Sequence, residues 1–158
     1  MLSLITQRLI EFARSEFRLD WDGIHGAPHW SRVRHNGLLL AEHTGANTRV
    51  VENFAFIHDL GRENDHRDPG HGIRAAAIAE SIAGDLIDLS EHELQLLKEA
   101  CCGHSDGHIV ADVTVMTCWD ADRLDLGRVG IRPDPARLCN DAARHPKVLS
   151  EAYERSVA

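Results

Sequence analysis

The sequence has no block of lysine and arginine, no uncharged run long enough to cross a membrane and no paired C-x-x-C spacing. Each absence closes off a class of function. A net charge of −8 without a basic stripe is poorly suited to following a nucleic-acid backbone, so no long nucleic acid is expected as a partner. Bound divalent cations would reverse the field locally, so a small phosphorylated substrate stays compatible with that charge. Arg8 and Glu11 interrupt the apolar opening Met1-Leu2-Ser3-Leu4-Ile5, and no basic residue precedes it, so neither a signal peptide nor a membrane partner is expected. Cys101, Cys102, Cys118 and Cys139 are spaced as neither a zinc knuckle nor a disulfide framework, which fits a reduced, cytoplasmic setting. Aromatics make up only 5% of the chain, so the core must rest on Leu, Ile, Val and Ala, a composition that leans helical. Repeats, low-complexity tracts and long linkers are missing too. Residues 1–158 therefore read as one domain, long enough to bury roughly 70% of its unfolded surface.

What is present is a string of helical patterns divided by short Gly, Pro and Asp punctuation. The first covers about Leu2–Leu19, the second about His29–Gly45, and the third about Thr48–Leu60 with Gly61 as its C-cap. Asp68-Pro69 reads as the start of a fourth, running towards Gly84. Ser90-Glu91-His92-Glu93 is a capping box that opens a fifth, ending near Gly103. A sixth spans about Asp112–Leu126, a short one follows at Ala136–Arg144, and the tail from Pro146 forms one more. Val113-Thr114-Val115 is briefly β-like, but no period-2 strand stands out. The expectation is an all-α bundle of about six to eight helices.

Several of these helices aim an ionisable side chain along an apolar stripe. Positions three, four and seven apart share a helix face. His29 lies with Val33, Gly37 and Leu40; His58 continues Val50, Val51 and Phe54; His104 ends the stripe Leu94, Leu97, Cys101. Asp120 sits among Val113, Met116 and Leu124. A single such histidine is usually a hydrogen-bonded core residue. Burying an unpaired carboxylate costs several kcal/mol, on the order of the penalties for unpaired ions, and a shared metal offsets it for all four residues together. Imidazole with carboxylate suits a divalent transition metal (Mn, Fe, Co, Ni or Zn) rather than Ca. Asp122 lies about 200° from Asp120 around the helix, so it is not expected on the same ion and is read as structural or supporting.

His29, the doublet His58-Asp59, and Asp120 resemble the ordered H…HD…D signature of the HD superfamily of metal-dependent phosphohydrolases. The resemblance runs from about His25 to Arg137. His58-Asp59-Leu60-Gly61-Arg62 followed by Asp68-Pro69-Gly70-His71-Gly72, then Cys102-Gly103-His104-Ser105, looks like the branch with extra histidines, and Trp119-Asp120-Ala121-Asp122-Arg123-Leu124-Asp125 is similar to its closing segment. That resemblance implies an HD-type helical domain with two metal ions. His29, His58, Asp59 and Asp120 would surround the first, and Asp59 would bridge to a second held by His71 and His104. The family's GYP loop motif is absent, so cyclic dinucleotide cleavage is not supported.

The activity implied is hydrolysis of a phosphate ester, such as a nucleotide or another small phosphorylated metabolite, by a metal-activated water. Asp59 would be central to catalysis. Arg62 would steady the phosphoryl oxygens, with Arg32 and Arg123 as further candidates, each equally at home in a surface ion pair. His108 or His66 would serve as general acid. Trp30 and Trp119 flank presumed ligands and are read as core. Two other functions use the same residues: a di-iron oxygenase acting on a polyol or phosphonate, and a non-catalytic module binding a metal or nucleotide. A homodimer is compatible with the sequence without being indicated by it.

Overall fold

Helical periodicity is realised along the described residues, 4–158, of the computed structural model, which contains eight α-helices and no strand among those residues. In order they are α1 (Gln7–Glu16), α2 (Ala27–Thr44), α3 (Thr48–Ile57), α4 (His71–Ile82), α5 (Glu91–Gly103), α6 (Val113–Arg123), α7 (Asp141–Arg144) and α8 (Pro146–Val157). Two 3₁₀ turns, Leu126–Val129 and Pro135–Arg137, lie between α6 and α7. No helix among the described residues is long and apolar enough to cross a membrane.

Local chemistry sets most boundaries. Thr6 caps α1 through Leu9 N–H at 3.2 Å, Asn47 caps α3, and Asp112 caps α6 through Thr114 N–H at 2.8 Å. The capping box at α5 is complete: Glu93 N–H donates to Ser90 Oγ at 3.1 Å, and Ser90 N–H donates to the Glu93 carboxylate at 2.8 Å. The bond from Ser90 N–H, helped by Asn47 and Arg49, holds the Glu93 carboxyl below its ordinary range against the opposing effect of burial. A depressed carboxyl stabilises the fold above its unfolded pKa, and that contribution is lost as pH falls through the folded value. Ser90→Ala should cost about 1 kcal/mol by urea titration at pH 7. Glu93→Gln should show its deficit at pH 7 and lose it towards pH 3; a deficit that does not fade in acid would contradict the assignment.

α2 and α3 pack together, α6 lies on α2, and α5 joins α3 to α4. The main core, with Leu9, Trp30, Val33, Val50, Phe54, Ile57, Ala79, Leu97 and Val115, fills the space between them. A smaller cluster of Leu40, Leu124, Leu138, Ala143 and Ala152 lies under the C-terminal helices. Trp30 and Trp119 are both buried, donating to the carbonyls of His25 at 2.8 Å and Ala100 at 3.0 Å, in keeping with their reading as core.

Several expectations need correction. α1 is shorter than about Leu2–Leu19, and residues 2 and 3 of that expectation lie outside the described residues. Val113-Thr114-Val115 opens α6 and is not β-like. α4 starts at His71, not at Asp68-Pro69, because the Asp68 carboxylate is used by Glu63 N–H and Arg74 instead of the helix N-terminus. The stretch 136–144 is interrupted, since Asp120 pins the backbone of Cys139 and Asn140 in non-helical conformation. Gly61 is not a left-handed cap. It is required because a Cβ there would lie 2.8 Å from His71 O and 2.9 Å from Ala75 N, so the turn after His58-Asp59 can press against α4. Gly72 similarly lets α4 meet α5, where a Cβ would fall 2.4 Å from Cys101 O. These two close approaches bring the His58, His71 and His104 segments together.

Candidate metal centre

The ends of helices supply most of the cluster. His29 sits in the first turn of α2, His58 and Asp59 directly follow α3, His71 is the first residue of α4, and His104 directly follows α5. Asp122 projects from α6. His29 and His58 are fully buried, Asp59, His71 and His104 are nearly so, and Asp122 is partly exposed.

One group forms around His29 Nε2 and His58 Nε2, 3.2 Å apart. Asp59 Oδ2 lies 3.5 Å from the first and 3.3 Å from the second. Asp122 Oδ1 lies 3.2 Å from His29 Nε2 and 3.6 Å from His58 Nε2. A second group uses the other carboxylate oxygen. Asp59 Oδ1 is 3.6 Å from both His71 Nε2 and His104 Nε2, which are 2.8 Å from each other. Ligand atoms about 2.1 Å from one ion are separated by about 3.0–3.4 Å, so most of these spacings are near those of atoms sharing a cation. The potential metal-binding triads overlap: His29 with His58 and Asp59, His58 with His104 and Asp122, and Asp59 with His71 and His104.

The hydrogen-bond accounting carries the same message. His58 Nδ1 donates to Phe54 O at 3.1 Å and Ala55 O at 3.2 Å, His71 Nδ1 to Asp68 O at 2.6 Å, and His104 Nδ1 to Cys101 O at 2.7 Å. A carbonyl only accepts, so these rings carry their hydrogen on Nδ1. His29 Nδ1 faces Asp125 Oδ2 at 2.6 Å, and Arg32 Nε holds the other oxygen of that carboxylate at 2.7 Å. With the rings neutral, four Nε2 lone pairs and two carboxylates converge without a hydrogen between them. Only added positive charge, a proton or a cation, relieves that arrangement.

The titration behaviour agrees. Burial pushes the His58 pKa down, but Asp59 and Asp122 outweigh it and raise it to about 10. Burial works to raise both carboxyls, yet the imidazoles hold Asp59 and Asp122 well below the ordinary range. His71 is lowered, by burial and then by His104 and Arg62, which keeps it neutral as a ligand must be. A metal ion would take the place of the proton that the carboxylates otherwise draw onto His58.

The structure brings together His29, His58, Asp59, His71 and His104 as the sequence suggested, but not Asp120. That carboxylate is fully buried on the opposite side of α6, accepting from Cys139 N–H at 2.7 Å and from Asn140 N–H and Nδ2 at 2.9 Å each. Asp122 takes its place. The two carboxylates do point to different sides of α6, but Asp122 faces the cluster and Asp120 does not, because α6 is buried on most of its surface and one apolar stripe does not define which way is inward. A pointer was available in Asp125, three residues after Asp122 and hence on its face, where it supports His29.

Arg62 is also placed differently. Its Nε bonds Asp59 Oδ1 at 3.1 Å and its Nη1 serves the carbonyls of Asn64 and His66, so it is first a partner of the Asp59 carboxylate. His108 is exposed, with its ring against Trp119 and its carbonyl bonded by Arg123, and it is not part of the cavity lining. His66 is exposed as well. Neither lines the cavity. Arg32 acts on His29 through Asp125, and Arg123 lies over Trp119.

A cavity of about 660 Å³ opens beside the cluster; its lining includes Asp59, His104 and Asp122 together with Arg62 and Arg123. Asp125→Asn should weaken metal affinity about 10–100-fold in a chelator competition, because it loosens the carboxylate that orients His29. Unchanged affinity would mean that α2 alone fixes the ring. Comparison of the chain with known protein-family models, with curated proteins and with solved structures gives no match.

Proposed function

We propose that the protein is a two-metal phosphohydrolase of the HD type, acting on a small phosphate ester. The observation that carries this reading is the sharing of Asp59: one oxygen faces His29 and His58, the other faces His71 and His104. His29, His58, Asp59 and Asp122 would hold one divalent ion, and Asp59, His71 and His104 the second. Such a pair supplies a water with lowered pKa and a clamp on the phosphoryl oxygens.

The chain's own residues do the rest. Asp125 and the backbone carbonyls fix each imidazole with its lone pair inward. Arg62 fixes Asp59, and burial of the four rings limits water to the cavity side. Arg62 and Arg123, which line the cavity beside the cluster, supply fixed positive charge for an anionic substrate. These arginines favour a phosphate ester over a neutral polyol.

The test is the metal content of protein purified without chelator or nickel resin, followed by a phosphate-ester screen with Mn, Co, Ni and Zn. Close to two ions per chain with phosphatase turnover is expected. No stoichiometric metal, and none taken up on adding Mn or Fe, would sink the reading. Bound iron with oxygen consumption and no phosphate release would replace the hydrolase with an oxygenase.

A further inference from the structure

The cavity beside the cluster has a wall built by residues 123–138, and that wall is unusually cationic for a chain whose net charge is −8. Arg123, Arg128, Arg132 and Arg137 all line it. Arg123 donates to the carbonyls of His108 and Arg137, and Arg128 to those of Ile24 and Asp125. These bonds fix the side chains without neutralising them. Arg132 lies over the Tyr153 ring, 3.9 Å from its centroid, and the Arg137 side chain has no hydrogen-bond or ion-pair partner among the described residues. The acid on this wall, Asp134, accepts from Ala136 N–H at 2.9 Å and caps the turn Pro135–Arg137.

A single phosphoryl group over the metals, with Arg62 beside it, does not account for this second set of guanidinium groups. The volume of about 660 Å³ is within the range of sites that enclose a whole metabolite, not a lone phosphate. Guanidinium matches the oxygens of phosphate in a bidentate way, and Arg132 is held on an aromatic face where its outer edge remains available.

We propose that Arg132 and Arg137 form a second anion subsite, so that the substrate is a small metabolite with two separate anionic groups, as in a sugar bisphosphate. One group would lie at the Asp59 cluster and the other on the 123–138 wall. The inference rests on the proposed function for the first group only; the subsite itself needs no metal.

Binding distinguishes the two. Calorimetry at fixed ionic strength with Mn-loaded protein should show glucose 1,6-bisphosphate binding at least tenfold tighter than glucose 6-phosphate. Arg132→Gln with Arg137→Gln should reduce that margin to about twofold or less, leaving glucose 6-phosphate affinity and metal content unchanged. Wild-type protein alone gives a second readout, since the bisphosphate affinity should fall more steeply with added salt. Inorganic diphosphate should bind metal-free wild type and not the double variant. If the protein carries no metal yet binds diphosphate through these arginines, the hydrolase reading fails and the subsite stands. Equal affinities for the two sugars in wild type, or a margin that survives in a folded double variant, would overturn the subsite.

Discussion

Asp59→Ala is expected to empty both metal positions at once and to lower phosphoester turnover by roughly a thousandfold or more. No other residue of the cluster has this reach through two separate oxygens, because Oδ2 faces His29 and His58 while Oδ1 faces His71 and His104. His71→Ala, by contrast, should remove one ion and leave the His29, His58 and Asp122 group able to bind the other. The pair of variants separates a shared centre from two independent sites, read as ions per chain by plasma mass spectrometry. Retention of one ion in Asp59→Ala would mean that Asp122 with the histidines suffices and that Asp59 does not bridge.

The second large effect distinguishes two neighbours on α6. Asp122→Ala should cost the first ion and activity while stranding no backbone donor, so that the metal-free protein still folds. Asp120→Ala should do the reverse. It strands three donors, Cys139 N–H, Asn140 N–H and Asn140 Nδ2, in a buried setting, at a cost of about 3–5 kcal/mol. Metal content measured on the folded fraction should stay at the wild-type value. If Asp120→Ala lost metal at wild-type stability, the orientation of α6 would be the wrong way round.

These two carboxylates show how far a helical pattern reaches. The sequence places Asp120 and Asp122 on different faces of one helix. It does not say which neighbour each face meets. Asp120 meets the turn before α7, where hydrogen bonds satisfy it, and Asp122 meets α2 and the end of α3, where it faces imidazole nitrogens. His29, His58 and His104 are more legible because each lies on an apolar stripe, whereas His71 comes only from the resemblance to the HD signature; in the structure, backbone carbonyls at the helix ends receive Nδ1 of His58 and His104. The placing of Arg62 and His108 depends on a different kind of contact. Side chains near a loop choose among nearby partners, and the tertiary fold turns Arg62 to Asp59 and His108 to Trp119.

By itself the sequence determined the all-helical class, the capping box at Ser90 and Glu93, and the placing of His29, His58 and His104 on apolar stripes. Those depend on local periodicity and on hydrogen bonds spanning three or four residues, which the order of residues specifies directly. The tertiary structure decided that Asp122 and not Asp120 joins the cluster, that Asp125 supports His29, and that four arginines share a cavity wall with the cluster's mouth. Each of these depends on contacts between segments far apart in the chain, made possible by close backbone approaches such as those at Gly61 and Gly72, where the absence of a single carbon sets how deeply the helix ends meet.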